Sequence, residues 1–156
     1  MLDKLNQRLI QELQNDGRTS NRVLARKLGV SEGTIRKRIS DLRSKNVIKI
    51  VAQPDPYKLG CRFICIMGLE VKLADLHAVG EELAQCPNVY YLAHVTGAVD
   101  LMAILLFRDS EGLADFIRDK ISKIPSILKT QTFVNMDIVK SPWVEALDVM
   151  SLLASG

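Results

Sequence analysis

The stretch Leu24-Ala25-Arg26-Lys27-Leu28-Gly29-Val30-Ser31-Glu32-Gly33-Thr34-Ile35-Arg36-Lys37-Arg38-Ile39 sets two short apolar-periodic helices around a glycine turn and loads the second with cations. Leu24 and Leu28 stand four apart on the first helix. Ile35, Ile39 and Leu42 recur at i, i+4 and i+7 on the second, so each helix has one stripe to bury against the other. At about 100° per residue, Gly33, Lys37 and Ser40 point away from the isoleucine stripe, flanked by Thr34, Arg36 and Arg38. Gly29 suits the left-handed backbone that ends a helix, and Ser31 is a good N-cap for the next. This is the pattern of a helix-turn-helix whose outer face is free for a DNA groove. A charged surface helix on an ordinary helical domain would account for the cations, but not for their coincidence with the turn chemistry and both stripes.

Upstream, Leu2, Leu5, Leu9 and Leu13 recur at i, i+3, i+7 and i+11 and predict a first helix ending near Asp16-Gly17. Three helices then close a small core that also takes Val23, Leu24, Leu28, Val30, Ile35, Ile39 and Leu42. Downstream, Val47-Ile48-Lys49-Ile50-Val51 has strand character, giving a winged-type module, and Pro54-Asp55-Pro56 stops regular structure. The expected division is a DNA-binding domain over 1–50, a linker over 51–60, a second domain over 61–140 and a helical tail over 141–156.

Charge follows the same division. The whole chain carries only +3, but residues 1–50 hold 12 Lys and Arg against 5 Asp and Glu, leaving the remainder net acidic. A basic module attracts phosphate and steers association; an acidic remainder is repelled by DNA and suits sensing or assembly. The 47% hydrophobic content supports packed cores in a chain of 156 residues. No cationic-then-apolar leader opens the chain, and the apolar run Leu101 to Phe107 is too short to span a bilayer, which predicts a soluble cytoplasmic protein. Cys61, Cys65 and Cys86 form no paired framework and fit a reducing compartment.

The second domain alternates. An extended run at about 61–72 precedes an amphipathic helix with Leu76, Val79 and Leu83, and extended runs follow at about 88–96 and 99–108. A helix with Leu113, Phe116, Ile117 and Ile121 leads to a last strand at about 127–138. This βαββαβ order predicts a ferredoxin-like α+β sandwich with both helices on one face of the sheet. In the third strand Leu101, Ala103, Leu105 and Phe107 fill one face, yet Met102, Ile104 and Leu106 on the other are apolar too. A half-exposed antiparallel strand alternates with polar residues, so this second face is expected to meet another copy of the chain. The alternative is cover by the C-terminal segment, where Ser141-Pro142 and then Trp143, Leu147 and Met150 read as a capped helix.

These residues together resemble the leucine-responsive regulator/AsnC (Lrp/AsnC, feast/famine) family of transcription regulators. Leu9-Ile10, Asp16-Gly17-Arg18, Leu24-Ala25, Leu28-Gly29-Val30-Ser31, Thr34-Ile35, Arg38-Ile39, Val47-Ile48 and Leu59-Gly60 carry the likeness, and Val95-Thr96-Gly97-Ala98-Val99-Asp100 is similar to the Gly-x-x-Asp turn of the family's amino-acid-binding domain. The resemblance implies a sequence-specific DNA-binding regulator whose ferredoxin-like domains pair into homodimers, often four to an octameric ring. The implied double-stranded DNA contacts are Arg22, Arg26, Ser31, Gly33, Thr34, Arg36, Lys37, Arg38 and Ser40. It also implies a small effector, an amino acid, held where dimers meet by Thr96, Gly97, Ala98, Val99 and Asp100, with Thr130, Gln131 and Thr132 beside them. Backbone N–H groups around Gly97 would take its carboxylate and Asp100 its ammonium. Val99 and Leu101 stand where many relatives carry aromatic residues, and Gly97 with Asp100 could equally make a plain hairpin.

Two further classes compete. Siroheme decarboxylases look like this family, and His94 with Tyr90-Tyr91 is present, but residues 96–100 follow the regulator pattern and the basic helix keeps its cations. An architectural DNA-coating protein with little sequence preference fits the same basic module. No C-x-x-C or H-x-x-x-H spacing and no nucleophile-base pattern stands out, so the chain is expected to be no enzyme and to need neither metal nor cofactor.

Overall fold

A computed structural model describes residues 2–139. Helix α1 spans Lys4–Asn15, α2 Asn21–Leu28 and α3 Glu32–Ser44. Each begins on a side-chain cap: Asp3 accepts from the Asn6 amide, Ser20 from Val23 and Ser31 from Thr34. Gly29 ends α2 in the left-handed conformation at φ 71°, where a side chain would be strained. The three apolar stripes converge on Leu9, Ile10, Leu24, Ala25, Leu28, Ile35 and Leu42, with Leu2, Leu5, Leu13, Val30, Ile39 and Ile48 packed around them. Leu9, Leu24 and Ile35 are fully buried, each such side chain contributing about 1.5–3 kcal/mol by removal from water.

The segment read as a strand, residues 47–51, forms none. The Val47 and Ile48 amides both donate to the Leu42 carbonyl, closing the end of α3, and residues 49–53 enter no ladder among the described residues. Strand propensity is realised only when a neighbouring strand supplies the hydrogen bonds. The chain divides into two compact units with the break between Gln53 and Pro54. Val23, expected in the first core, is only half-buried.

In the second unit the elements are β1 (Phe63–Val71), α4 (Leu76–Ala84), β2 (Val89–His94), β3 (Leu101–Phe107), α5 (Ser110–Asp119) and β4 (Ile127–Val134). The strands lie in the order β2-β3-β1-β4, all antiparallel, which is the ferredoxin-like arrangement. The last strand stops four residues short of the run expected to 138. One face of the sheet buries Cys65, Met67, Leu69, Leu101, Ala103, Leu105 and Phe107 with Val79 and Leu83 of α4 and Phe116 of α5. The cross-strand pairing fixes what the other face presents, because directly opposed residues share a face. Tyr91 opposes Ile104, Ile104 opposes Ile66 and Ile66 opposes Phe133, so one apolar row crosses all four strands. Tyr91 and Phe133 at its ends are 53% and 60% exposed, and Ile104 and Ile66 at its centre are half-buried. The tail expected over 141–156, with its helical reading, lies outside the described residues.

Candidate DNA interface and ligand-binding turn

The cations of the first unit separate into structural and available groups. Arg38 reaches across to α1, donating to Asp3 Oδ2 at 2.5 Å and to Asn6 Oδ1 at 2.9 Å. Asp3 therefore caps α1 with one oxygen and holds α3 with the other. The Arg38 guanidinium beside it holds the Asp3 carboxyl below its usual range, helped by the Asn6 amide. Arg38, expected to face DNA, is thus committed to joining two helices. Arg22, Arg26, Arg36, Lys37 and Ser40 are exposed. Arg36 meets Glu32 at 3.4 Å on the surface, a pairing of small worth. Ser31 and Thr34 share a hydroxyl hydrogen bond of 2.8 Å as part of the α3 cap, and Gly33 presents bare backbone between them and the outer face.

Two side chains absent from the sequence-based set join this surface. Arg43 lies at i+7 from Arg36, on the same line of α3, and Asn21 at the start of α2 borders the same depression. The Arg36, Ser40, Arg43 spacing was visible in the sequence; the approach of Asn21 needed the packing of α2 on α3.

The turn of the second unit is tightly bound. The Asp100 amide donates to the Leu69 carbonyl at 2.9 Å, and the Val95 amide donates to the Asp100 carbonyl at 3.0 Å. Asp100 Oδ2 accepts from the Val71 amide at 2.8 Å. One carboxylate oxygen thus terminates the β1–β3 ladder; a carboxylate has further acceptor capacity on its other oxygen. Thr96, Gly97 and Ala98 form the exposed tip, and Gly97 has φ +131° with open space where a Cβ would stand, so backbone conformation accounts for the glycine.

The expected neighbours do not all gather there. Thr130 opposes Leu69 and Thr132 opposes Met67, which puts both threonines on the helix-covered face. Gln131 opposes Gly68 on the open face. Val99 folds over that glycine, its Cγ1 3.0 Å from the position a Gly68 Cβ would take. Val99, Gly68 and Gln131 are therefore contiguous beside the turn. Gly68 was missed, although a glycine inside an apolar strand signals a close approach.

Two histidines outside the turn and the basic helix also come together. The His77 and His94 rings stack with centroids 6.2 Å apart, His77 meeting Glu81 at 3.4 Å, all on the exposed surface. No group of three potential metal ligands occurs among the described residues. Cys65 is buried in the sheet, and burial pushes its thiol pKa up. No described helix is long and apolar enough to cross a membrane.

A capped helix-turn-helix with a cationic outer face, followed by a ferredoxin-like unit with a glycine turn, defines a class of DNA-binding proteins with a ligand-binding domain. Family models agree in both units: the AsnC-type helix-turn-helix domain matches residues 2–43 and the Lrp/AsnC ligand binding domain matches residues 64–143. An HTH-type transcriptional regulator of Pyrococcus abyssi is 34% identical over 89% of this chain and 89% of its own length. The HTH-type transcriptional regulator LrpA of Pyrococcus horikoshii is 33% identical over 90% of this chain and 100% of its own. Among solved structures, B. subtilis LrpC shares 29% identity with a TM-score of 0.78, covering 90% of this chain and 99% of that one. E. coli AsnC has the same fold, with a TM-score of 0.85 at 24% identity over 90% and 96% of the two chains. The chain belongs to the Lrp/AsnC family and is a DNA-binding transcription regulator of that type.

Proposed function

We propose that this regulator reads specific DNA sites through α3 and answers to a small amino acid through an oligomer of its second unit. The observation that carries the reading is the open apolar row Tyr91, Ile104, Ile66 and Phe133. A second copy laid on this face buries the row, making a homodimer, and dimers associate further, up to an octamer. Assembly then sets how many helix-turn-helix modules reach DNA together and at what spacing. Lys37 with Thr34 reads base edges, and Arg22, Arg26 and Arg36 contact phosphate. The effector lies at the turn of residues 96–100, its carboxylate on backbone N–H groups around Gly97, its ammonium on the free oxygen of Asp100, and its side chain against Val99 and Gln131. A Neisseria meningitidis transcriptional regulator of the same fold, 19% identical with a TM-score of 0.83 over 90% of this chain and 94% of its own, was solved as an L-Met complex, which favours an amino acid as the ligand class. The protein acts in the cytoplasm and carries out no catalysis.

The test is a thermal-shift screen of the common amino acids on the full chain, with and without DNA, beside light scattering. Ligand bound to the native state raises its melting temperature by linkage. A protein that remains a monomer at micromolar concentration, or that answers to no amino acid, rejects the corresponding half of the reading.

A further inference from the structure

We infer that the flank of α3 turned toward α2 is the seat of the DNA phosphate backbone, with Arg43 as its far anchor. Arg36, Ser40 and Arg43 succeed one another at i, i+4 and i+7 and so form one line along the helix. With Asn21, Ile39 and Ser44 they line an open depression of about 570 Å³ that contains no carboxylate. Among the described residues Arg43 has no ion pair, and Arg36 has only its exposed contact with Glu32, which a phosphate readily replaces.

The flank toward α1 differs. Its depression, about 730 Å³, is lined by Thr34, Lys37 and Lys45 but also by Asp41, and its Arg38 is held by Asp3. A duplex carries one negative charge per about 1.7 Å of axis, so its backbone settles against the flank whose neighbouring acid, Glu32, is exposed and held only by a weak surface contact. Lys37, near the crest, is left to the bases. Arg43 also lies in the last turn of α3, where a cation complements the helix dipole; that structural role moves stability, not salt response.

This assignment rests on the reading of α3 as the DNA helix, and its test separates the two. Full-length protein and its Arg43→Gln variant are titrated, over a range of salt concentrations, against a short mixed-sequence duplex and against an operator selected from a random pool. Loss of one phosphate contact lowers the slope of log K against log salt by about 0.9. Arg43→Gln is expected to show that drop, with affinity weakened on both duplexes alike; a small fall in melting temperature reports the lost dipole contact and does not change the slope. Arg43→Lys keeps the slope, and Asp41→Asn leaves it where it was. A parental slope in Arg43→Gln, or a loss confined to the operator, overturns the assignment. If Arg43→Gln fails to fold, Arg36→Gln interrogates the same line, and an unaltered slope there overturns it equally. A parent chain that binds neither duplex removes the DNA reading of α3 itself.

Discussion

Asp100 grips both ends of one strand step: its amide donates to the Leu69 carbonyl at 2.9 Å and its carboxylate accepts from the Val71 amide at 2.8 Å. The carboxylate that would neutralise a ligand also ends the β1–β3 ladder, as the hairpin alternative read from the sequence requires. Two roles in one carboxylate can be taken apart by substitution.

Asp100→Ala leaves the Val71 amide without its partner and is expected to cost about 1–3 kcal/mol. Asp100→Asn keeps an acceptor oxygen and recovers most of that stability while removing the charge. Urea denaturation measures the first effect, and calorimetry with the amino acid found by screening measures the second. Asparagine at this position that binds the effector with parental affinity removes the ammonium contact from the site.

Gly97 is held at φ +131°, so Gly97→Ala should destabilise the hairpin by about 1–3 kcal/mol through backbone strain, with no steric clash to blame. An alanine variant as stable as the parent in the same denaturation would show that the turn relaxes freely.

Arg38 and Lys37 are neighbours in the chain with separate expected losses. Lys37→Ala should reduce discrimination at one base position by about 1–3 kcal/mol while leaving the fold alone. Arg38→Gln should instead lower the melting temperature and spare the salt slope. Its pH signature has a definite sign: the Asp3 pKa is depressed in the folded state, so the stabilisation is present above the ordinary carboxylate range and disappears as pH falls through the depressed value. The gap in melting temperature between parent and Arg38→Gln should be full near neutrality and close in acid. A gap that widens in acid contradicts the pairing.

Ile104 sits at the centre of the apolar row. Ile104→Glu should reduce the mass seen by light scattering, because an unpaired carboxylate trapped in an interface costs several kcal/mol. A variant with parental mass and parental melting temperature would place the subunit contact elsewhere.

Local chemistry made much of this protein legible before folding. The turn at Gly29 with the cap at Ser31, the leucine stripe of α1 and the βαββαβ alternation all depend on neighbours within a few residues, and each appears where periodicity and turn residues put it. The strand read at 47–51 failed for the complementary reason: a strand needs a partner, and the nearest acceptor, the Leu42 carbonyl, ended α3 instead.

By itself the sequence determined which residues are apolar, which are cationic and where α2 ends and α3 begins, since those follow from period and capping. Tertiary structure alone decided how identical chemistry was allotted. Arg38 and Arg43 are equally basic in the sequence, yet the approach of α1 brought Asp3 to the first and left the second open to solvent. Thr130, Gln131 and Thr132 are consecutive, yet pairing with β1 sent the two threonines under the helices and Gln131 to the open face beside Gly68 and Val99. Charge and polarity belong to a residue; the partner that satisfies or frees them is set by strand register and helix packing, which join segments far apart in the chain.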